Sequence, residues 1–121
     1  MMRLLFVCVG NSCRSQIAEG IANKMGFEAF SAGTNPASHV NPNAVKILEN
    51  LDIETSKLFP KSIEDFKNEK FDLTISMGCG VSCPSIKIDQ DWELEDPVGK
   101  NLKYFEKITK KIVKKLKKIK F

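Results

Sequence analysis

The sequence predicts an α/β fold: one three-layer domain over residues 1–121, with a four-stranded parallel sheet and helices on both faces. Three observations carry this. Short apolar runs alternate with stretches of helical periodicity, the pattern of parallel strands joined by crossover helices. The first run, Leu4–Val7, is continuously apolar, as a strand buried on both faces requires. A chain of 121 residues with 42% hydrophobic content is the length of one domain, and buries enough surface to need neither disulfide nor metal.

The elements follow in order. After Leu4–Val7, the segment Ser15–Met25 carries Ile17, Ala18, Ile21, Ala22 and Met25 at helical spacing and stops at Gly26. Phe27–Phe30 reads as a second strand and Ser31–Asn41 as a loop, with Gly33, Asn35 and Pro36. Asn41 and Pro42 open a helix as cap and first-turn residue, and Ala44, Val45, Leu48 and Leu51 give it an apolar face. Ser62 with Asp65 starts a further short helix. Phe71–Ser76 is the third strand, Ile86–Ile88 a short fourth, and Asp89–Gly99 a long loop. The terminal stretch sets Tyr104, Phe105, Ile108, Ile112, Val113, Leu116 and Ile119 among lysines at a spacing near 3.6, an amphipathic helix.

Charge is uneven. From Lys100 to Phe121 there are ten lysines and one acid, Glu106, while the whole chain is only +4. The lysine face has no arginine and no interleaved aromatics, so it reads as the solvated side of a core helix rather than a nucleic-acid or membrane surface. No apolar run approaches the roughly 20 residues that span a bilayer. The apolar stretch Leu4–Val9 runs into Gly10-Asn11-Ser12-Cys13-Arg14, not a small-residue cleavage site, so it reads as a strand and the protein as cytoplasmic. Four cysteines in that compartment point to catalysis or metal binding before structural disulfides.

The densest chemical signal is Cys8-Val9-Gly10-Asn11-Ser12-Cys13-Arg14-Ser15, set between strand and helix. A loop wrapped onto a helix N-terminus directs backbone N–H groups and the positive end of the helix dipole at one point, where a tetrahedral oxyanion fits. Val9, Gly10, Asn11, Ser12, Cys13 and Arg14 would form that clamp, with Arg14 gripping two oxygens in a fork. The same field lowers cysteine pKa values to roughly 3.5–7.5 and favours a thiolate nucleophile at Cys8, with Ser15 placed to hydrogen-bond it. Gly10 and Asn11 tolerate the positive φ of a tight wrap. No Walker loop is present, which sets nucleotide hydrolysis aside.

The segment Val7–Gly20 closely resembles the active-site segment of arsenate reductases built on the low-molecular-weight protein tyrosine phosphatase fold, of the thioredoxin-coupled type. Ser31-Ala32-Gly33, Val40-Asn41-Pro42, Met77-Gly78-Cys79-Gly80, Cys83-Pro84 and Asp91–Lys100 resemble the same family's later landmarks. The resemblance implies that Cys8 attacks arsenate and that Asp96 protonates the departing oxygen. Asp89, Asp91, Glu93 and Glu95 compete for that acid role on sequence alone. It also implies a relay: Cys79 attacks Cys8 as arsenite leaves, Cys83 then attacks Cys79, and a thioredoxin-like protein reduces the Cys79–Cys83 disulfide. Only three residues separate Cys79 from Cys83, fewer than in the best-known thioredoxin-linked members.

Beyond arsenate and the thiol donor, no cofactor, metal, nucleic acid or membrane partner is expected, and the chain is expected to act as a monomer. Some family members bind potassium through Asn, Glu, Ser and Asp; Asn11, Glu19 and Ser31 match, but Ile63 stands where the Asp is expected. His39 and Trp92 are read as a surface loop residue and a core anchor. The rival enzyme is a low-molecular-weight tyrosine phosphatase using Cys8, Arg14 and Asp96, although the family's phosphatases follow Asp-Pro with Tyr and this chain has Val98. Weak phosphatase turnover is also an expected side activity. A four-cysteine zinc module and an inactive anion-binding protein are the remaining alternatives. A cysteine beside Arg14 is a poor cation ligand.

Overall fold

The computed structural model describes residues 2–78 and 87–119. Four parallel strands form one sheet: β1 (Arg3–Cys8), β2 (Glu28–Gly33), β3 (Leu73–Ser76) and β4 (Gln90–Asp91), in spatial order β2-β1-β3-β4. The helices are α1 (Arg14–Lys24), α2 (Pro42–Asn50) and α3 (Leu102–Leu116), with a 3-10 helix at Ile63–Phe66.

Alternation along β1 divides the core. Leu4, Phe6 and Cys8 face α1, α2 and α3, joined by Ile17, Ile21, Leu48, Ile108 and Ile112. Leu5 and Val7 face the other way, onto Ala32, Ile63 and Phe66, edged by Phe30 and Phe71. Leu4–Val7 are fully buried, each worth about 1.5–3 kcal/mol as removal of apolar surface from water. Helices thus cover both faces, the second through the single 3-10 turn and its aromatic cluster. Asn41 caps α2 through a 2.9 Å bond from the Asn43 N–H, with Pro42 in the first turn. Ile47 joins Ala44 and Leu48 inside, whereas Leu51 lies beyond the helix, 38% exposed. The terminal stripe of Phe105, Ile108, Ile112 and Leu116 is buried, with Thr109 beside it.

Several boundaries differ from the sequence reading. β2 runs on to Gly33, because Ser31, Ala32 and Gly33 pair in register with Phe6, Val7 and Cys8. β3 begins at Leu73, where the Arg3 N–H turns to the Asp72 carboxylate at 2.7 Å and not to a backbone carbonyl. The fourth described strand is Gln90–Asp91; of the expected Ile86–Ile88, Ile86 lies outside the described residues and residues 87–88 stay outside the ladder, because Asp89 bonds both ways with Thr74, through its N–H and its carboxylate at 2.8 Å each. Ile88 packs on the second core cluster without joining the ladder. The expected short helix is a 3-10 turn capped by Ser62, whose hydroxyl accepts from the Glu64 N–H.

The order of winding reverses between β1 and β3, so their carboxyl ends flank the switch-point crevice where open α/β sheets bind ligands. Cys8 ends one strand there and Ser76 the other.

Candidate active site

Residues 8–14 wrap the N-terminus of α1, and the geometry of the wrap follows from where its carbonyls go. Thr34, Asn35, Ala37 and Asn41 donate their N–H groups to the carbonyls of Cys8, Val9, Gly10 and Ser12, at 2.9–3.1 Å. The Asn11 carbonyl accepts from Gln16 Nε2 at 3.0 Å. In a trans peptide the carbonyl of one residue and the N–H of the next point opposite ways. Turning these carbonyls outward therefore turns the N–H groups of residues 9–13 inward. The Asn11 N–H donates to Cys8 Sγ at 3.1 Å, as that rule demands.

The inner surface is a cavity of about 280 Å³ lined by Cys8, Val9, Gly10, Ser12, Cys13, Arg14, Asp96 and Val98. The α1 N-terminus opens into it with no side-chain cap on Cys13 and no acid in its first turn, so the positive end of the helix faces the cavity.

Ser15 Oγ lies 2.9 Å from Cys8 Sγ. Asn11 Nδ2 donates to that oxygen at 2.8 Å, which leaves the Ser15 proton free to be donated to a Cys8 thiolate. Arg14 is 5% exposed, and its Nη1 donates to the carbonyls of Met77 at 3.1 Å and Leu94 at 2.8 Å. One nitrogen of the fork thus ties the end of β3 to the loop that carries Asp96. Burial pushes the Cys13 thiol up, opposed by the Ser12 hydroxyl and reinforced by Asp96 and Cys8, which marks Cys13 as a neutral lining group.

Of the five candidate acids only Asp96 lines the cavity. Its carboxylate accepts from the Val98 N–H at 3.1 Å, an Asx turn that holds an otherwise exposed group in place. Asp89 is tied to Thr74, Asp91 accepts from the Glu93 N–H, and Glu95 accepts from the Tyr104 hydroxyl. His39 is exposed beside Ser38, away from the cavity. Trp92 is 6% exposed and packs tilted against Phe6 at a ring separation of 5.6 Å, an anchor for the acid loop. Cys79 and Cys83 lie outside the described residues.

The structure corrects one expectation and shows what several residues around the loop do. Gly10 does not adopt a positive φ; Asn11 alone does so in the loop, at 50°, because its side chain is bonded at both ends. Gly33 is required by close approach, since a Cβ there would lie 2.4 Å from the Val9 carbonyl oxygen and 3.0 Å from the Asn11 nitrogen. Gly78, at φ 98°, lies against the backbone of Glu93 and Leu94. Behind the loop, Glu19 accepts from the Ser31 hydroxyl at 2.5 Å and pairs with Lys61 Nζ at 3.4 Å. The Lys61 N–H meanwhile donates to Asn11 Oδ1 at 2.8 Å. The Lys61 ammonium therefore pairs with Glu19, the same carboxylate that holds Ser31, while Ile63 is buried in the second core cluster.

The sequence profile of low molecular weight phosphotyrosine protein phosphatases matches residues 3–120. The chain belongs to this family. Among its relatives is the glutaredoxin arsenate reductase of Synechocystis, 39% identical over 116 residues, 89% of this chain and 88% of that one. An arsenate reductase of Staphylococcus aureus is 33% identical over 119 residues, 90% of this chain and 88% of that one. A solved arsenate reductase in a phosphate binding state superposes with a TM-score of 0.86 at 35% identity, covering 97% of this chain and 95% of the other. A low molecular weight protein tyrosine phosphatase of T. tengcongensis superposes at 0.73 with 31% identity, over 98% and 100%. The family's two activities thus both occur among proteins similar to this one. No helix among the described residues is long and apolar enough to cross a membrane.

Proposed function

We propose that this protein reduces arsenate to arsenite, with Cys8 as nucleophile. The observation that carries the reading is the outward turning of the carbonyls of residues 8–12, which leaves a small, cation-edged cavity of N–H donors over one activated thiol. Arsenate and phosphate both fit such a site. Relatives named as arsenate reductases, over nearly the whole chain, support arsenate.

The chemistry follows from the groups present. The clamp of residues 9–14 and Arg14 neutralises the oxyanion, and the Cys8 thiolate attacks arsenic. Asp96 donates a proton to the oxygen that leaves as water, giving a thiol–arsenic(V) adduct. Attack by a second thiol on Cys8 sulfur passes two electrons to arsenic and releases arsenite, leaving a disulfide. Cys79 is the proposed second thiol and Cys83 the third, which moves the disulfide to Cys79–Cys83. The net change is two thiols and arsenate giving one disulfide, arsenite and water. A thioredoxin-like protein returns the two electrons. A glutaredoxin competes for that role, since one relative carries it in its name. A thiol relay needs a reducing compartment, the ground for a cytoplasmic location.

A phosphatase would use the same loop, forming a phosphocysteine for water to hydrolyse. Among the described residues no aromatic ring lines the cavity, and Val98, 56% exposed, stands at its rim, so a phenyl ester gains little stacking there. Weak hydrolysis is the corresponding side activity. The test is arsenate-dependent NADPH consumption with thioredoxin or glutaredoxin systems, run beside para-nitrophenyl phosphate hydrolysis. Reduction lost in Cys79→Ser and Cys83→Ser, with hydrolysis retained, supports the relay. Hydrolysis alone would make the chain a phosphatase.

A further inference from the structure

We infer that Gln16 is the positioning residue that completes the oxyanion loop. The inference rests on reading residues 8–14 as that loop. Four of its carbonyls are turned outward by backbone N–H groups of the segment 34–41. The carbonyl of Asn11 is the exception, and the Gln16 side chain does that work in place of backbone. Holding the Asn11 carbonyl outward sets the Ser12 N–H inward, toward the cavity that Ser12 lines. It also supports Asn11 in its left-handed conformation at φ 50°, from which the Asn11 N–H reaches Cys8.

The orientation of the Gln16 amide is not adjustable. Its Nε2 lies within 3.0 Å of the Asn11 carbonyl, 3.1 Å of Asn11 Oδ1 and 2.9 Å of the Phe59 carbonyl. A flipped amide would set oxygen against three oxygens. The consequence is that Gln16 Oε1, in a side chain with no exposure at all, has no hydrogen-bond partner among the described residues. A side chain kept for stability would not strand a buried polar atom in this way. The other two acceptors are served without Gln16: Asn11 Oδ1 by the Lys61 N–H and the Phe59 carbonyl by Lys61 Nζ. What only Gln16 supplies is the bond to the Asn11 carbonyl.

A methionine there would remove the stranded oxygen together with the three Nε2 bonds, of which the one to the Asn11 carbonyl has no replacement, so stability and anion affinity are expected to separate. The test compares wild type with Gln16→Met and Gln16→Asn, the latter keeping the amide on a side chain too short to reach. Three quantities are read: the thermal midpoint, protection of Cys8 by inorganic phosphate against iodoacetamide, and the ratio of Cys8 alkylation by iodoacetate to that by iodoacetamide. Both alkylation rates are followed on the Cys8 peptide by mass spectrometry. The ratio reports the field an anion meets at the sulfur and is independent of how much thiolate is present. Folded variants should bind phosphate roughly tenfold more weakly, the equivalent of about one hydrogen bond, with a lower ratio and a midpoint within a few degrees of wild type. Phosphate protection and ratio unchanged in either folded variant would overturn the inference. Wild type without phosphate protection would instead overturn the oxyanion-loop reading itself.

Discussion

The hydroxyl of Ser15 sits 2.9 Å from the Cys8 sulfur and accepts from Asn11 Nδ2 at 2.8 Å, and toward a Cys8 thiolate, which has no proton to give, Ser15 is the donor. The thiolate form of Cys8 is thereby stabilised by a hydrogen bond of defined direction. Ser15→Ala removes it. A hydrogen bond to a charged group is worth about 1.5–3 kcal/mol. Alkylation of Cys8 by iodoacetamide at neutral pH should slow by roughly ten- to a hundredfold, and the far-ultraviolet circular dichroism should not change.

Gly33→Ala should damage the site from outside it. The added Cβ would meet the Val9 carbonyl oxygen at 2.4 Å, and backbone must move to admit it. Overpacking of this kind costs about 1–3 kcal/mol. The measurements are the denaturation midpoint and phosphate protection of Cys8, and both should fall.

Asp96→Asn separates proton donation from structure. Asparagine retains the acceptor that holds the Val98 N–H, so the turn persists. Loss of a general acid lowers turnover by roughly a hundredfold or more. Arsenate turnover should drop by that order while phosphate protection of Cys8 and the thermal midpoint stay at wild-type values.

Cys13 gives an alkaline signature. Burial raises its folded-state pKa, with Asp96 and Cys8 adding to the effect. Its contribution to stability is therefore fully present below the ordinary thiol pKa and is lost as pH rises through the raised value. Wild type should lose stability over that alkaline window, and Cys13→Ala should lose less. Urea midpoints at a series of pH values measure this. At neutral pH, Cys13 should resist iodoacetamide under conditions that modify Cys8.

Much of the site was legible in the sequence because its chemistry is local. Cys8, Arg14 and Ser15 lie within one strand–loop–helix passage, and a buried strand followed by an amphipathic helix determines what the loop between them can face. The residues that shape the loop from behind were not legible, because their roles exist only in three dimensions. Gly33 matters for its distance to Val9, and Lys61 for its meeting with Glu19 and Asn11. Gln16 sits among the buried residues of α1 like any core side chain. The fourth strand was missed for a related reason. Gln90 and Asp91 are exposed and pair with β3 through two positions, whereas Ile88 nearby has the apolar character but packs on a side-chain cluster. The acid is distinguishable only in three dimensions, where Asp96, alone of the five candidates, lines the cavity.

The central claim is that Cys8 reduces arsenate with electrons from the protein's own thiols. The most direct measurement is a single turnover: fully reduced protein, freed of external thiol, is mixed with arsenate, and arsenite and thiols are counted. The account predicts about one arsenite per chain with the loss of two thiols, and none from Cys8→Ser. No arsenite from the reduced wild type, or an undiminished yield from Cys8→Ser, would contradict it.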